Sequence, residues 1–117
     1  MDISRSVAIA HAEEFDRWLK AHGRREPEIA VAIFKKASGK QTVTLAELQE
    51  TAIRHGWIDN LGQRIDDERW AIRFVPRRPG SKWSETNRRV VRRLRANGGM
   101  TPAGLAVLPD DLKEERA

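Results

Sequence analysis

"WIDNLGQRIDDERWAIRFVP" (residues 57–76) decides the fold. Its second half alternates Trp70, Ile72 and Phe74 against Ala71, Arg73 and Val75, the period of a strand with one face in a core. In the first half Trp57, Ile58, Leu61 and Ile65 do not keep one period, and Gly62 is the expected place of a bulge. "DDE" (66–68) joins the halves, so the stretch predicts two paired strands. Pro76 and Pro79 then stop the second strand and hold the following loop extended.

Upstream lies a strongly marked helix. Thr44 and Glu47 form a capping box, Val43 and Leu48 the matching hydrophobic staple, and Gly56 takes the left-handed position past the end. Leu45, Leu48, Ala52 and Ile53 are expected to face inward. Before it, "EIAVAIFKK" (28–36) is apolar on both alternating sets, which predicts a central strand covered on both faces. "HAEEFDRWLKAHG" (11–23) places Phe15, Trp18, Leu19 and His22 on one helical stripe, with His22 as a half-buried stripe residue rather than a ligand.

Downstream, Ser84 caps a helix whose Val90, Val91 and Leu94 point inward, with arginines crowding its C-terminal half and Asn87 available as a weak back-cap. "TPAGLAVLPDD" (101–111) predicts a short helix with Thr101 as cap and Pro102 at its first position. Residues 111–117 read as a frayed tail. The order α-β-α-β-β-α-α gives a small α+β fold: one domain over residues 1–117, core about 9–110, with an antiparallel hairpin in a three-stranded sheet packed by helices.

The 117 residues include no cysteine, which excludes disulfides, thiolate metal sites and a thiol nucleophile. His11, His22 and His55 are scattered, and Asp66, Asp67 and Glu68 do not follow a cation-loop pattern, so neither metal nor cofactor is expected. Gly39-Lys40 lacks the upstream glycine and following hydroxyl of a phosphate loop, and Ser38, Ser81 and Ser84 lack a nucleophile-elbow frame. From Met1 onward the chain shows no secretory hydrophobic region and no membrane-length apolar run, so a cytoplasmic protein without integral membrane contact is expected.

Charge is unevenly distributed. Residues 69–95 hold ten Arg or Lys against one acid, Glu85, while the rest of the chain carries twelve basic and sixteen acidic residues. Arginine, which suits planar contacts with anions, outnumbers lysine nine to one in that block. One reading is a solvated basic face. The other is a polyanion surface of Arg77, Arg78, Lys82, Arg88, Arg89, Arg92, Arg93 and Arg95, giving salt-sensitive, sequence-independent affinity for nucleic acid. The acidic segment from Asp110 to Glu115 could instead screen these arginines within the molecule.

A second constellation is a candidate ligand pocket: His55, Trp57, Asp59, Arg73, Arg77, Trp83 and Asn87, brought near one another by the hairpin and the Pro-containing loop. Aromatic walls, a carboxylate and guanidinium groups beside a helix start suit a phosphate, a carboxylate or a flat base. The structural alternatives are equally concrete. Trp57, Trp70 and Trp83 can be core, Asp59 can pair with Arg73 or Arg77, and His55 can close its helix. A rival reading from another class is an enzyme or small-ligand sensor built on His55, Asp59 and Arg73.

"HGWID" (55–59), "DDERW" (66–70), "RFVPRRPGSKWSETN" (73–87) and "GMTPAGL" (99–105), in this order and spacing, resemble the YdeI/OmpD-associated family, also called the OmdA or bacteriocin-protection family. "EEFDRWL" (13–19) and "FKKASGK" (34–40) resemble its N-terminal half, so the similarity covers about residues 9–110. The resemblance implies a role in antimicrobial-peptide resistance or stress, with a porin link and a periplasmic setting suggested for the family. Here the expected setting is the cytoplasm, because no export signal is read. The expected function is a non-enzymatic binding or accessory module with an anion-facing basic surface, whose partners are an anionic ligand or polyanion, or a protein.

Overall fold

The computed structural model describes residues 1–114. A short 3-10 turn (Ile3–Arg5) leads into strand β1 (Val7–Ala8), helix α1 (Ala12–His22), strand β2 (Ile29–Phe34) and a second 3-10 turn (Lys36–Ser38). Helix α2 (Leu45–Arg54), strands β3 (Trp57–Arg64) and β4 (Arg69–Pro76), and helices α3 (Glu85–Ala96), α4 (Pro102–Ala106) and α5 (Asp110–Glu114) follow. The expected α+β architecture is present, with one strand more than the three predicted. The sheet runs β1-β2-β4-β3: β1 is parallel to β2, and the other neighbours are antiparallel. Two residues are too few to show a period, which hides β1 from a sequence reading.

The hairpin bulge lies at Asn60, between the paired residues Asp59 and Leu61, rather than at Gly62, which pairs with Ile72. The extra residue moves Leu61 onto the face occupied by Ile58. That face change explains why the apolar residues of β3 keep no single period.

One sheet face carries the first core. Phe15 of α1 meets Phe74 of β4 with ring centroids 4.9 Å apart, and Leu19, Val31, Leu48, Trp57 and Ile72 close around them. Full burial of each phenylalanine contributes about 1.5–3 kcal/mol. Helix α2 then divides the molecule. Leu48 and Ala52 belong to the sheet-side core, whereas Ile53 joins Trp83, Val91, Leu94, Leu108 and Leu112 in a second cluster beneath α3 and α5.

Since α3 and α4 pack against α2, the second sheet face carries no helix. Strand β2 is central, as expected, but it is covered by helices on one face alone. Its second apolar set, Ala30, Ala32 and Phe34, lies on the open face opposite Arg73, Ala71 and Arg69 of β4. Two of the three are small alanines, and the Lys40 ammonium lies over the Phe34 ring, so the apolar pattern arises without a second layer.

Three smaller expectations also change. Leu45, at the first position of α2, is exposed, and His22 is exposed with its ring against Trp18. The segment 111–117 was expected to fray, yet residues 111–114 belong to α5 and Leu112 is fully buried; residues 115–117 lie outside the described residues. A single apolar side chain anchored in the second core is enough to hold this last helical turn.

Candidate anion site at the 77–83 turn

The Arg77 amide donates to the Gly56 carbonyl at 2.8 Å, which continues the β3–β4 ladder past Pro76. Gly56 adopts φ +77°, and a Cβ there would come within 2.9 Å of the Ala103 oxygen, so glycine is required for the exit from α2. The chain then reverses at Arg78-Pro79-Gly80-Ser81. The Ser81 amide donates to the Arg78 carbonyl at 3.1 Å, and Gly80 at φ +81° supplies the third turn position that favours glycine. Ser84 closes the segment by accepting from the Asn87 amide at 3.1 Å, so α3 starts immediately after Trp83.

This short path forces Arg77 inward. Its guanidinium carbon sits 3.5 Å from the Trp83 ring centroid, and its residue exposure is 5%. Nη2 donates to the Lys82 carbonyl at 2.9 Å. Nε and Nη1 have no hydrogen-bond partner among the described residues, so the three N–H groups on these two atoms lack an acceptor. Ser81 Oγ and Trp83 Nε1 are likewise buried and unpartnered. Among the described residues these four atoms are the buried side-chain nitrogens and oxygens without a partner, and all lie within seven residues of chain. Burial pushes the Arg77 pKa below its ordinary value, with the charge of Asp59 acting in the opposite direction.

Arg77 forms part of the wall of a cleft of about 730 Å³ at the end of the open sheet face. Ile58, Val75 and Pro76 give it an apolar floor, while Arg78 and Lys82 stand at its rim with no ion pair among the described residues. Arg73 also borders the cleft, but Glu28 holds it at 2.7 Å. That guanidinium keeps the Glu28 carboxyl below its ordinary range.

The expected pocket is divided by the sheet. Asp59 pairs with Phe74 on the helix-covered face, within 3.4 Å of Gln49 Nε2, whereas Arg73 lies on the open face. The anticipated Asp59–Arg73 bridge therefore does not form, and Asp59 reaches Arg77 only through its field. Trp57 is core and meets Trp18 edge-on at 5.8 Å. Trp83 is buried beneath Arg77, whereas Trp70 is 41% exposed, with the Lys35 ammonium over its ring. Asn87 uses its backbone amide in the α3 cap and makes no side-chain back-cap.

His55 belongs to a different cluster. It closes α2, and its Nε2 lies 2.6 Å from Asp16 Oδ1 on α1, 39 residues away in sequence. Arg54 Nη1 reaches the same oxygen at 3.0 Å and Lys20 the other oxygen at 3.0 Å. Burial raises the Asp16 pKa, but hydrogen bonds from His55 and Lys20 and the charge of Arg54 outweigh it and hold the carboxyl below its ordinary range. The His55 N–H therefore donates to an ionised carboxylate. The missing partner of the expected His/Asp pair is thus Asp16 rather than Asp59. No spacing rule connects residues so distant.

The polyanion surface is broken up by intramolecular contacts. Arg88 pairs with Asp111, Arg89 and Arg92 with Glu85, and Arg93 with Glu50, while Arg95 donates to the Leu112 carbonyl. The acidic C-terminal segment thus screens part of the basic helix. Among the described residues, Arg77, Arg78, Lys82 and Arg95 of the proposed polyanion surface make no ion pair, and the first three belong to the turn.

Among the described residues no group of three or more His, Asp or Glu is placed to hold a metal ion, and no helix is long and apolar enough to cross a membrane. No curated protein and no solved structure matches the chain. The family described as "Domain of unknown function (DUF8412)" matches residues 7–107, nearly the whole described fold including the hairpin, the 77–83 turn and α3, and the chain belongs to that family.

Proposed function

We propose that the protein is a non-enzymatic binding module that holds an anion at the 77–83 turn. The observation that carries this reading is the buried Arg77 guanidinium with Nε and Nη1 unpartnered, beside the unpaired Arg78 and Lys82. A buried guanidinium without acceptors costs several kcal/mol, and an oxyanion is the group that converts such donors into short, charge-assisted bonds. The motifs resembling YdeI/OmpD-associated proteins support placing the module as an accessory factor in antimicrobial-peptide resistance or stress.

The test is a titration with inorganic phosphate at low ionic strength, followed by tryptophan fluorescence. Because Arg77 stacks on Trp83, capture of the guanidinium should change the emission saturably, and Arg77→Met should abolish the response. An identical response in the variant would overturn the reading.

A further inference from the structure

We infer that the ligand is a small phosphate monoester with an apolar body, its phosphate taken by Arg77, Arg78 and Lys82 and its body laid against Ile58 and Val75. This inference rests on the anion reading above and names the class of ligand.

Three features of the cleft carry it. The first is size: a cleft of about 730 Å³ lies within the range of small-molecule sites, about 300–1,000 Å³, and a bare tetrahedral oxyanion would leave most of it empty. The second is charge. Three cations border the cleft without an ion pair, Arg73 is already neutralised by Glu28, and no acid lines the site. A dianionic head matches that surplus better than a carboxylate does.

The third feature is the distribution of polarity. Ile58 and Val75 are paired residues of β3 and β4 on the helix-free face, so their side chains form a continuous apolar floor leading away from the cationic end. A ligand that is charged at one end and apolar at the other satisfies both halves at once. Nε and Nη1 of Arg77 are buried, so the head reaches them when the Arg78–Ser81 turn lifts. Gly80, which has open space around it, is the natural pivot of that movement.

The experiment compares phenyl phosphate, inorganic phosphate and phenol by isothermal titration calorimetry at low salt, on the wild-type chain, Arg77→Met and Ile58→Thr, with thermal melts confirming that each variant folds. Phenyl phosphate should bind at least about tenfold more tightly than inorganic phosphate, as burial of an aromatic body on an apolar floor predicts. Phenol should not bind measurably, Arg77→Met should lose phenyl phosphate, and Ile58→Thr should narrow the tenfold ratio. Equal affinity for the two phosphates, or an unchanged ratio in Ile58→Thr, would overturn the apolar-body inference while leaving the anion reading intact. Absence of binding by either phosphate would overturn both.

Discussion

Arg54 and Arg77 are two arginines drawn into the same small domain, and they are served in opposite ways. Arg54, with its side chain 32% exposed, donates from Nε to the Gly99 carbonyl at 2.8 Å and pairs through Nη1 with Asp16 at 3.0 Å. Arg77 is 5% exposed and makes one side-chain hydrogen bond, to Lys82. The group with more access to water has more protein partners, and the group with less access has fewer. Burial removes water as an alternative acceptor, so satisfied donors stabilise a fold and orphaned donors weaken it. Around Arg54, then, the polar network serves folding. Around Arg77 the same residue type keeps donors without acceptors, the observation on which the proposed anion site rests.

The sharpest way to break this contrast is at the satisfied end. Asp16→Ala removes the carboxylate shared by His55, Arg54 and Lys20 and should lower stability by about 2–3 kcal/mol in urea unfolding, somewhat below a fully buried pair because Lys20 and Arg54 reach water. Its response to phosphate should survive under native conditions. The pH dependence has a definite sign. With the folded pKa of Asp16 below 3.8, its contribution is whole above that value and is lost as pH falls through the lowered folded pKa. Wild type and Asp16→Asn should therefore converge in stability on acidification below about pH 4, as denaturant midpoints measured down the acid limb would show.

Gly104→Ala tests the backbone side of the same junction. A Cβ at Gly104 would overlap the Arg54 carbonyl oxygen, which already accepts from the Thr101 amide and hydroxyl. A loss of about 1–3 kcal/mol is expected in thermal or chemical unfolding. Arg77→Met should separate the two regions most clearly. Replacing an unsatisfied guanidinium by an apolar chain of similar length should leave stability within about 1 kcal/mol of wild type or raise it, while phosphate binding disappears. A strongly destabilised Arg77→Met would instead make the turn a second structural junction. The smallest effect belongs to the basic helix: Arg89→Gln, at an exposed pair with Glu85, should change the unfolding midpoint by less than about 0.5 kcal/mol equivalent.

Features carried by neighbours in the chain were legible in the sequence. The Thr44/Glu47 capping box, the left-handed Gly56, the Ser84 cap and the alternation of β4 all formed as their local chemistry requires. Arg77 and Trp83 were legible as two of seven residues held near one another by the hairpin and the Pro-containing loop, but not their stacking. The bulge at Asn60 was not legible, since several residues of β3 could absorb the extra step and pairing with β4 selects one. The exposure of Leu45 was equally hidden, because helical periodicity gives the face a residue shares but not whether a neighbour covers its first turn.

By itself the sequence determined the α+β class, the order of the longer elements, the limits of the first three helices to within a residue or two, and the concentration of positive charge on the second half of the chain. These follow from interactions a few residues apart, for which chain geometry leaves few choices. Only the tertiary structure decided which face of the sheet stays open, that His55 answers to Asp16, that α3 spends its arginines on Glu50, Glu85 and Asp111, and that Arg77 is buried with Nε and Nη1 lacking acceptors. Those outcomes depend on pairings across tens of residues, where many partners of the same charge compete and packing alone selects among them.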